Sequence, residues 1–165
     1  MSPNHEETAM LPIQTILHPT DFSSHSRCAF QLACSLAKDH GARLIVLHVV
    51  APPVAYGEGM VSMEPEDWER LQVMLHELRP PDPQVRVEHR LADGDPARQI
   101  LGTAQESKCD LIVMGTHGRT GLTRLLMGSV AEQVVRKAGC PVLTIKTPLE
   151  GTLTGLTVKQ DTVNA

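Results

Sequence analysis

Glycine, hydroxyl and basic residues gather in one segment of this chain. Gly115-x-x-Gly118 is followed by nine residues and then by Gly128-Ser129, where a helical pattern begins. Phosphate oxygens need a backbone they can approach with no Cβ in the way, which glycine supplies. They also favour the free N–H groups and positive dipole end of a helix N-terminus. Ser129 stands where it can cap that helix and offer its hydroxyl to a phosphate. Arg119 and Arg124 lie inside the segment and carry charge that phosphate would neutralise. The spacing alone suits an ordinary glycine-rich surface loop as well; its place between an apolar strand and a helix start favours the phosphate reading. It is not G-x-x-x-x-G-K-[ST], and it is not G-x-G-x-x-G.

Other reactive side chains fall near the ends of predicted strands. Asp21 has two compatible roles: it can cap a helix, or touch a ribose hydroxyl or a magnesium ion. His18, His48 and His117 read as structural or hydrogen-bonding groups. A catalytic triad would need a nucleophile and an orienting acid in reach, and no G-x-S-x-G elbow exists. The remaining histidines show no metal-ligand spacing.

These groups need elements to position them. Ile13–Leu17 predicts a short strand ended by Pro19, followed by helix caps at Asp21 and Ser23-Ser24. Ala29, Leu32, Ala33, Leu36 and Ala37 recur at helical spacing up to Gly41. Arg43–Val50 is a nearly unbroken apolar run, suited to a strand buried on both faces. Residues 51–63 read as a loop and Glu64–Arg79 as a helix stopped by Pro80-Pro81. Val85–Leu91 alternates as a strand, Asp95-Pro96 opens a helix to Lys108, and Asp110–Met114 is a buried strand. Beyond the glycine loop come a helix, Ser129–Ala138, and a strand, Pro141–Ile145. This alternation predicts an α/β fold: a mostly parallel sheet with helices on both faces and right-handed crossovers. Ligands of such sheets bind beyond the carboxyl ends of the strands, where strand order reverses. The turns at His18–Asp21, Val49–Ala51 and Gly115–Gly118 are therefore the candidate site.

Composition removes several classes. A net charge of −4 leaves no electrostatic footprint for nucleic acid or an anionic membrane, and Trp68, Tyr56, Phe22 and Phe30 are too few for a base-stacking platform. No apolar stretch approaches the ~18–20 residues that span a bilayer, and no signal peptide is visible. Cys28, Cys34, Cys109 and Cys140 form no C-x-x-C pair and read as reduced, mostly buried thiols. A soluble cytoplasmic protein is the expectation.

Leu17-His18-Pro19-Thr20-Asp21-Phe22-Ser23 resembles the first-strand signature of the universal stress protein family. Leu47-His48-Val49 is similar to that family's second-strand ending, and Pro141-Val142-Leu143 to its final strand. The glycine spacing from Gly115 to Ser129 is similar to that of its ATP-binding branch. The resemblance covers residues 13–146, between a leader at 1–12 and a tail at 147–165. It implies an open five-stranded parallel sheet in the order 3-2-1-4-5, Rossmann-like and adenine nucleotide alpha hydrolase-like. It further implies a homodimer formed through the last strand.

Carried onto this sequence, the resemblance sets Pro19, Thr20, Asp21 and Val49 beside the adenosine. Met114, Gly115, Thr116, His117, Gly118, Arg119 and Thr120 would line the ribose and phosphates, with Gly128, Ser129 and Val130 closing the phosphate site. ATP, or ADP or AMP, would be the ligand, with Mg2+ or Mn2+ carried on its phosphates. The crossover after the second strand is shorter than the family's and breaks at Pro80-Pro81, so the cover over the ligand is altered. The implied function is a nucleotide-dependent stress-response or signalling module with at most weak ATP hydrolysis. The motifs name no protein partner. The alternatives are a dedicated ATPase or phosphotransferase on the same fold, with Asp21 or His117 as base, and a ligand-free dimerisation module.

Overall fold

Local sequence signals set most of the nine elements in the computed structural model, which describes residues 12–51, 65–116 and 127–146. In chain order they are β1 (Thr15–Thr20), α1 (Ser24–His40), β2 (Arg43–Val50), α2 (Pro65–Glu77) and β3 (Val87–Asp93). Then follow α3 (Pro96–Glu106), β4 (Leu111–Gly115), α4 (Ser129–Lys137) and β5 (Val142–Ile145). All four strand pairings are parallel, and the sheet runs β3-β2-β1-β4-β5. The strand order turns between β1 and β4, as the sequence reading requires.

Side chains of successive strand residues point to opposite faces, so each central strand feeds two cores. Ile16, Leu44, Val46 and Val113 pack with Ala29, Phe30, Ala33 and Ala37 of α1 and Leu75 of α2. Leu17, Ile45, Leu47, Ile112 and Met114 pack on the other face with Ala97, Ile100 and Ala104 of α3 and Ala131 and Val134 of α4. Burial on both faces is why β2 reads as an uninterrupted apolar run. Helix ends follow their punctuation. Ser23 caps α1 by accepting from the Ser26 amide, and Gly41 closes it at φ 63°, a left-handed conformation suited to glycine. Asp95 caps α3, with Pro96 in its first turn.

Two strands depart from the expected bounds by more than one residue. β3 begins at Val87 because a turn intervenes: the Val85 amide donates to Asp82 O at 3.2 Å and the Gln84 amide to Asp82 Oδ1 at 2.9 Å. Val85 is buried yet outside the ladder. β1 does not stop before Pro19 but carries it, paired with Leu47 of β2. Its N–H-less edge faces β4, where the β1–β4 register ends at Leu17↔Ile112.

The expectations for the leader, the 51–63 crossover, the middle of the glycine loop and the 147–165 tail lie outside the described residues, Pro12 and Ala51 apart. No helix among the described residues is long and apolar enough to cross a membrane.

Candidate functional site

The sheet opens at its switch point for an identifiable reason. The Ile112 amide donates across to Pro141 O, so its neighbours Leu111 and Val113 face β1. One step beyond Leu17↔Ile112, the donor due to Val113 O is the amide of Pro19, which does not exist. The His18 side chain takes its place, Nδ1 to Val113 O at 2.9 Å. A carbonyl only accepts, so Nδ1 carries the proton and Nε2 is left with a bare lone pair. That Nε2 is buried and has no hydrogen-bond partner. His18 is fully enclosed, and its ring lies 5.6 Å from that of Phe30. Burial pushes its pKa down to about 4, against the opposing pull of the Val113 carbonyl and the Asp21 charge.

The turn leaving β1 is held from within. Thr20 Oγ1 and Ser26 Oγ lie 2.7 Å apart, and the Phe22 amide donates to Thr20 Oγ1 at 3.1 Å. Asp21 Oδ1 accepts from the Ser23 amide at 3.0 Å. Asp21 therefore shapes the turn, while the helix cap is Ser23. Phe22 adopts φ 64°, an unusual backbone for a bulky residue, and its ring packs 4.5 Å from His48. His48 in turn donates from Nδ1 to Thr20 O at 2.8 Å, fastening the end of β2 to that of β1.

Among the described residues, the β4 side presents backbone rather than charged side chains. Gly115 packs against the first turn of α1: a Cβ built there would lie 3.3 Å from the His25 carbonyl carbon. That contact accounts for a glycine here without any ligand. The Thr116 amide donates to Ile145 O at 3.0 Å, and the Gly128 amide donates to Thr116 O at 2.8 Å. The glycine loop thus leaves and re-enters the fold at one point, tied to the last strand. Gly128, not Ser129, is the N-cap of α4, with φ −60° and ψ 150°. Ser129 is the first helical residue and is exposed. Helix geometry leaves the first-turn amides without internal acceptors, and Gly128 brings no side chain to take them. Glu132, in the same turn, is engaged with Arg136 at 3.5 Å. Below this terminus, half-buried Val49, Met127 and Val130 pack on the α3–α4 core with Met114.

The sequence-predicted residues therefore stand at the carboxyl ends of β1, β2 and β4, three neighbours in the sheet. Pro19, Thr20 and Asp21 stand at the end of β1 and just beyond it, Val49 near the end of β2, Met114, Gly115 and Thr116 at the end of β4 and just beyond it, and Gly128, Ser129 and Val130 at the start of α4. His117, Gly118, Arg119, Thr120 and Arg124 lie outside the described residues. Among the described residues, no three His, Cys, Asp or Glu side chains gather as metal ligands. Sequence reasoning missed Ser26, His25 and Ile145. Ser26 acts through a hydroxyl contact with Thr20 that forms only when the β1–α1 turn folds, and His25 and Ile145 act through backbone atoms, which no sequence pattern signals.

A profile described as the universal stress protein family matches residues 12–146. Universal stress protein MJ0531 of Methanocaldococcus jannaschii is 36% identical over 146 residues, covering 81% of this chain and 82% of its own. The solved universal stress protein UspA of Lactobacillus plantarum superposes with a TM-score of 0.68 at 24% identity, covering 82% and 99% of the two chains, which speaks to the fold. A universal stress protein crystallised in complex with cAMP is 26% identical with a TM-score of 0.63, covering 82% and 98%. The strand order, the His-Pro-Thr-Asp turn and the family match converge: this chain belongs to the universal stress protein family.

Proposed function

We propose that this protein binds an adenine nucleotide, ATP with Mg2+ or Mn2+ on its phosphates, and works as a nucleotide-dependent stress-response module in the cytoplasm. One observation carries the reading. α4 begins at a glycine cap, so its first-turn amides face the switch point unclaimed by a capping side chain, at the neck where Gly128 closes on Thr116. Such amides suit phosphate oxygens. The floor of Val49, Met114 and Val130 suits the flat, largely apolar face of a base or ribose. Asp21, with one carboxylate oxygen engaged by the Ser23 amide, offers the other to a ribose hydroxyl. The metal would screen the phosphate charge. The related cAMP complex supports the ligand class. The β1 and β2 histidines each donate Nδ1 to a backbone carbonyl, and any hydrolysis in this reading is weak. We further propose a homodimer through β5.

Gly128→Asp tests the proposal. At φ −60° the backbone accepts any residue, and Asp is a favoured N-cap, so the variant should melt at or above the wild-type temperature. Its carboxylate would take the first-turn amides and repel phosphate. Calorimetric titration with Mg–ATP should show at least ~10-fold weaker binding, a difference of about 1.4 kcal/mol, whereas Gly128→Ala should bind nearly as well as wild type. Unchanged affinity in Gly128→Asp would remove α4 from the site.

A further inference from the structure

At the opposite pole of the sheet, below β4 and β5, two thiols come together. Cys109 ends the connection from α3, its amide donating to Ala104 O at 2.9 Å, and is 8% exposed. Cys140 ends the connection from α4 and is half-buried. The β4–β5 ladder begins at Ile112↔Val142, three residues after Cys109 and two after Cys140, so both thiols stand at the same end of neighbouring strands. Both side chains pack on the α3–α4 core, and both line one hollow of about 410 Å³ with Gln105, Lys108, Lys137 and Gly139.

The other two cysteines have no such arrangement. Cys28 and Cys34 lie on α1, across the sheet, six residues apart and so ~9 Å along the helix axis.

We propose that Cys109 and Cys140 form a redox pair that a hydroperoxide converts into an intramolecular disulfide, stapling the base of the β4–α4 crossover. The chemistry balances in two steps. The more exposed Cys140 thiolate attacks the peroxide O–O bond, giving a sulfenic acid and releasing an alcohol, or water when the oxidant is hydrogen peroxide. The Cys109 sulfur then displaces hydroxide from that sulfenic acid, which leaves as water with the Cys109 proton. Two thiols are oxidised and one peroxide is reduced. Burial holds both thiols above their ordinary pKa, Cys109 at about 11, so the pair reacts slowly at neutral pH and faster as pH rises. The ring closed by the bond contains β4, both ends of the glycine loop and α4, so oxidation tightens the segment that carries the candidate ligand site. The proposal stands whether or not that site takes a nucleotide.

The test uses the full chain, purified reduced, then treated with millimolar hydrogen peroxide and mapped by mass spectrometry without reduction. A Cys109–Cys140 peptide pair lacking two hydrogens is expected, reversed by dithiothreitol and retained in the Cys28→Ser/Cys34→Ser variant. Its rate of formation should rise about tenfold per pH unit from neutrality while the thiols remain mostly protonated. Oxidation should also raise the thermal midpoint by roughly 5–10 °C, as expected for closing a loop of this length in a chain of this size. Sulfinic or sulfonic acid on Cys140 with no cross-link would overturn the proposal. So would a cross-link to Cys28 or Cys34, a cross-link only between copies, or a lowered midpoint on oxidation.

Discussion

His18 shows how one residue can hold a fold open. Proline at 19 removes the amide that would zip β1 to β4 beyond Ile112, and the imidazole supplies the missing donor while keeping the strands apart. The arrangement leaves Nε2 bare in the core, and a proton there would be charged and unpaired. With the folded pKa pushed down to about 4 from an ordinary 6.5, above pH 6.5 neither folded nor unfolded chain holds the proton. Between pH 6.5 and 4 only the unfolded chain does, so stability is lost as pH falls across that window, and the loss levels off below 4. The expected loss is about 1.4 kcal/mol per pH unit, roughly 3 kcal/mol in all. His18→Leu should cost about 1–2 kcal/mol at pH 7, because Val113 O loses its donor. It should also flatten this part of the profile. Urea unfolding at about pH 7 and about pH 4.5, wild type against variant, measures both. An identical pH slope in the two proteins would assign the acid sensitivity elsewhere. The sequence marks His18 as a histidine at a strand end; its partner, a carbonyl orphaned by a proline on a neighbouring strand, belongs to the register and has no local signature.

At the scale of elements, local signals and tertiary placement divide the work. β2 and α1 begin and end where apolar runs, Ser23 and Gly41 say they should, because each boundary is set by residues within one turn. Pro19 misleads because its cost depends on which neighbour its missing N–H faces, and that is a property of the sheet. Ser129 misleads only as a cap: the helix starts at Ser129 as expected, but the residue that caps it is Gly128. Gly115 illustrates the same limit from the other side. Its glycine is predicted from phosphate chemistry, yet the contact it makes is with α1. Gly115→Ala should therefore destabilise even without ligand. Its Cβ would meet the His25 backbone at 3.3 Å, in the helix turn pinned by Thr20, Ser23 and Ser26. Overpacking of this kind costs about 1–3 kcal/mol, or roughly 2–9 °C in thermal midpoint at this chain length. A variant melting within about one degree of wild type would show that α1 yields freely there.

Among the described residues the sheet has two edges, and they are treated differently. β3 carries Glu88, His89, Arg90 and Asp93, with Glu88 paired to Arg90 at 2.6 Å, and α2 packs beside it, the ring of His76 lying 4.7 Å from that of His89. Charges and a covering helix are the usual means by which an edge strand avoids further pairing. β5, Val142–Ile145, carries no charged residue and leaves Leu143 37% exposed. Neighbouring α4 exposes Val135 at 44%. The alternation of elements and the family resemblance make the strand order legible from sequence. The contrast between the edges becomes legible only once that order says which strands are outermost. It assigns the proposed homodimer to β5 rather than β3. Leu143→Lys places a desolvated charge in that seam, and on an edge strand it should leave the monomer's stability within about 0.5 kcal/mol, as for most surface substitutions. Light scattering on size-exclusion eluate should give twice 18.0 kDa for the wild type and 18.0 kDa for the variant. A charge reversal on β3, Glu88→Lys, should leave the mass unchanged. A wild-type chain that runs as a monomer at high micromolar concentration, or a Leu143→Lys variant that stays dimeric, would move the interface off β5.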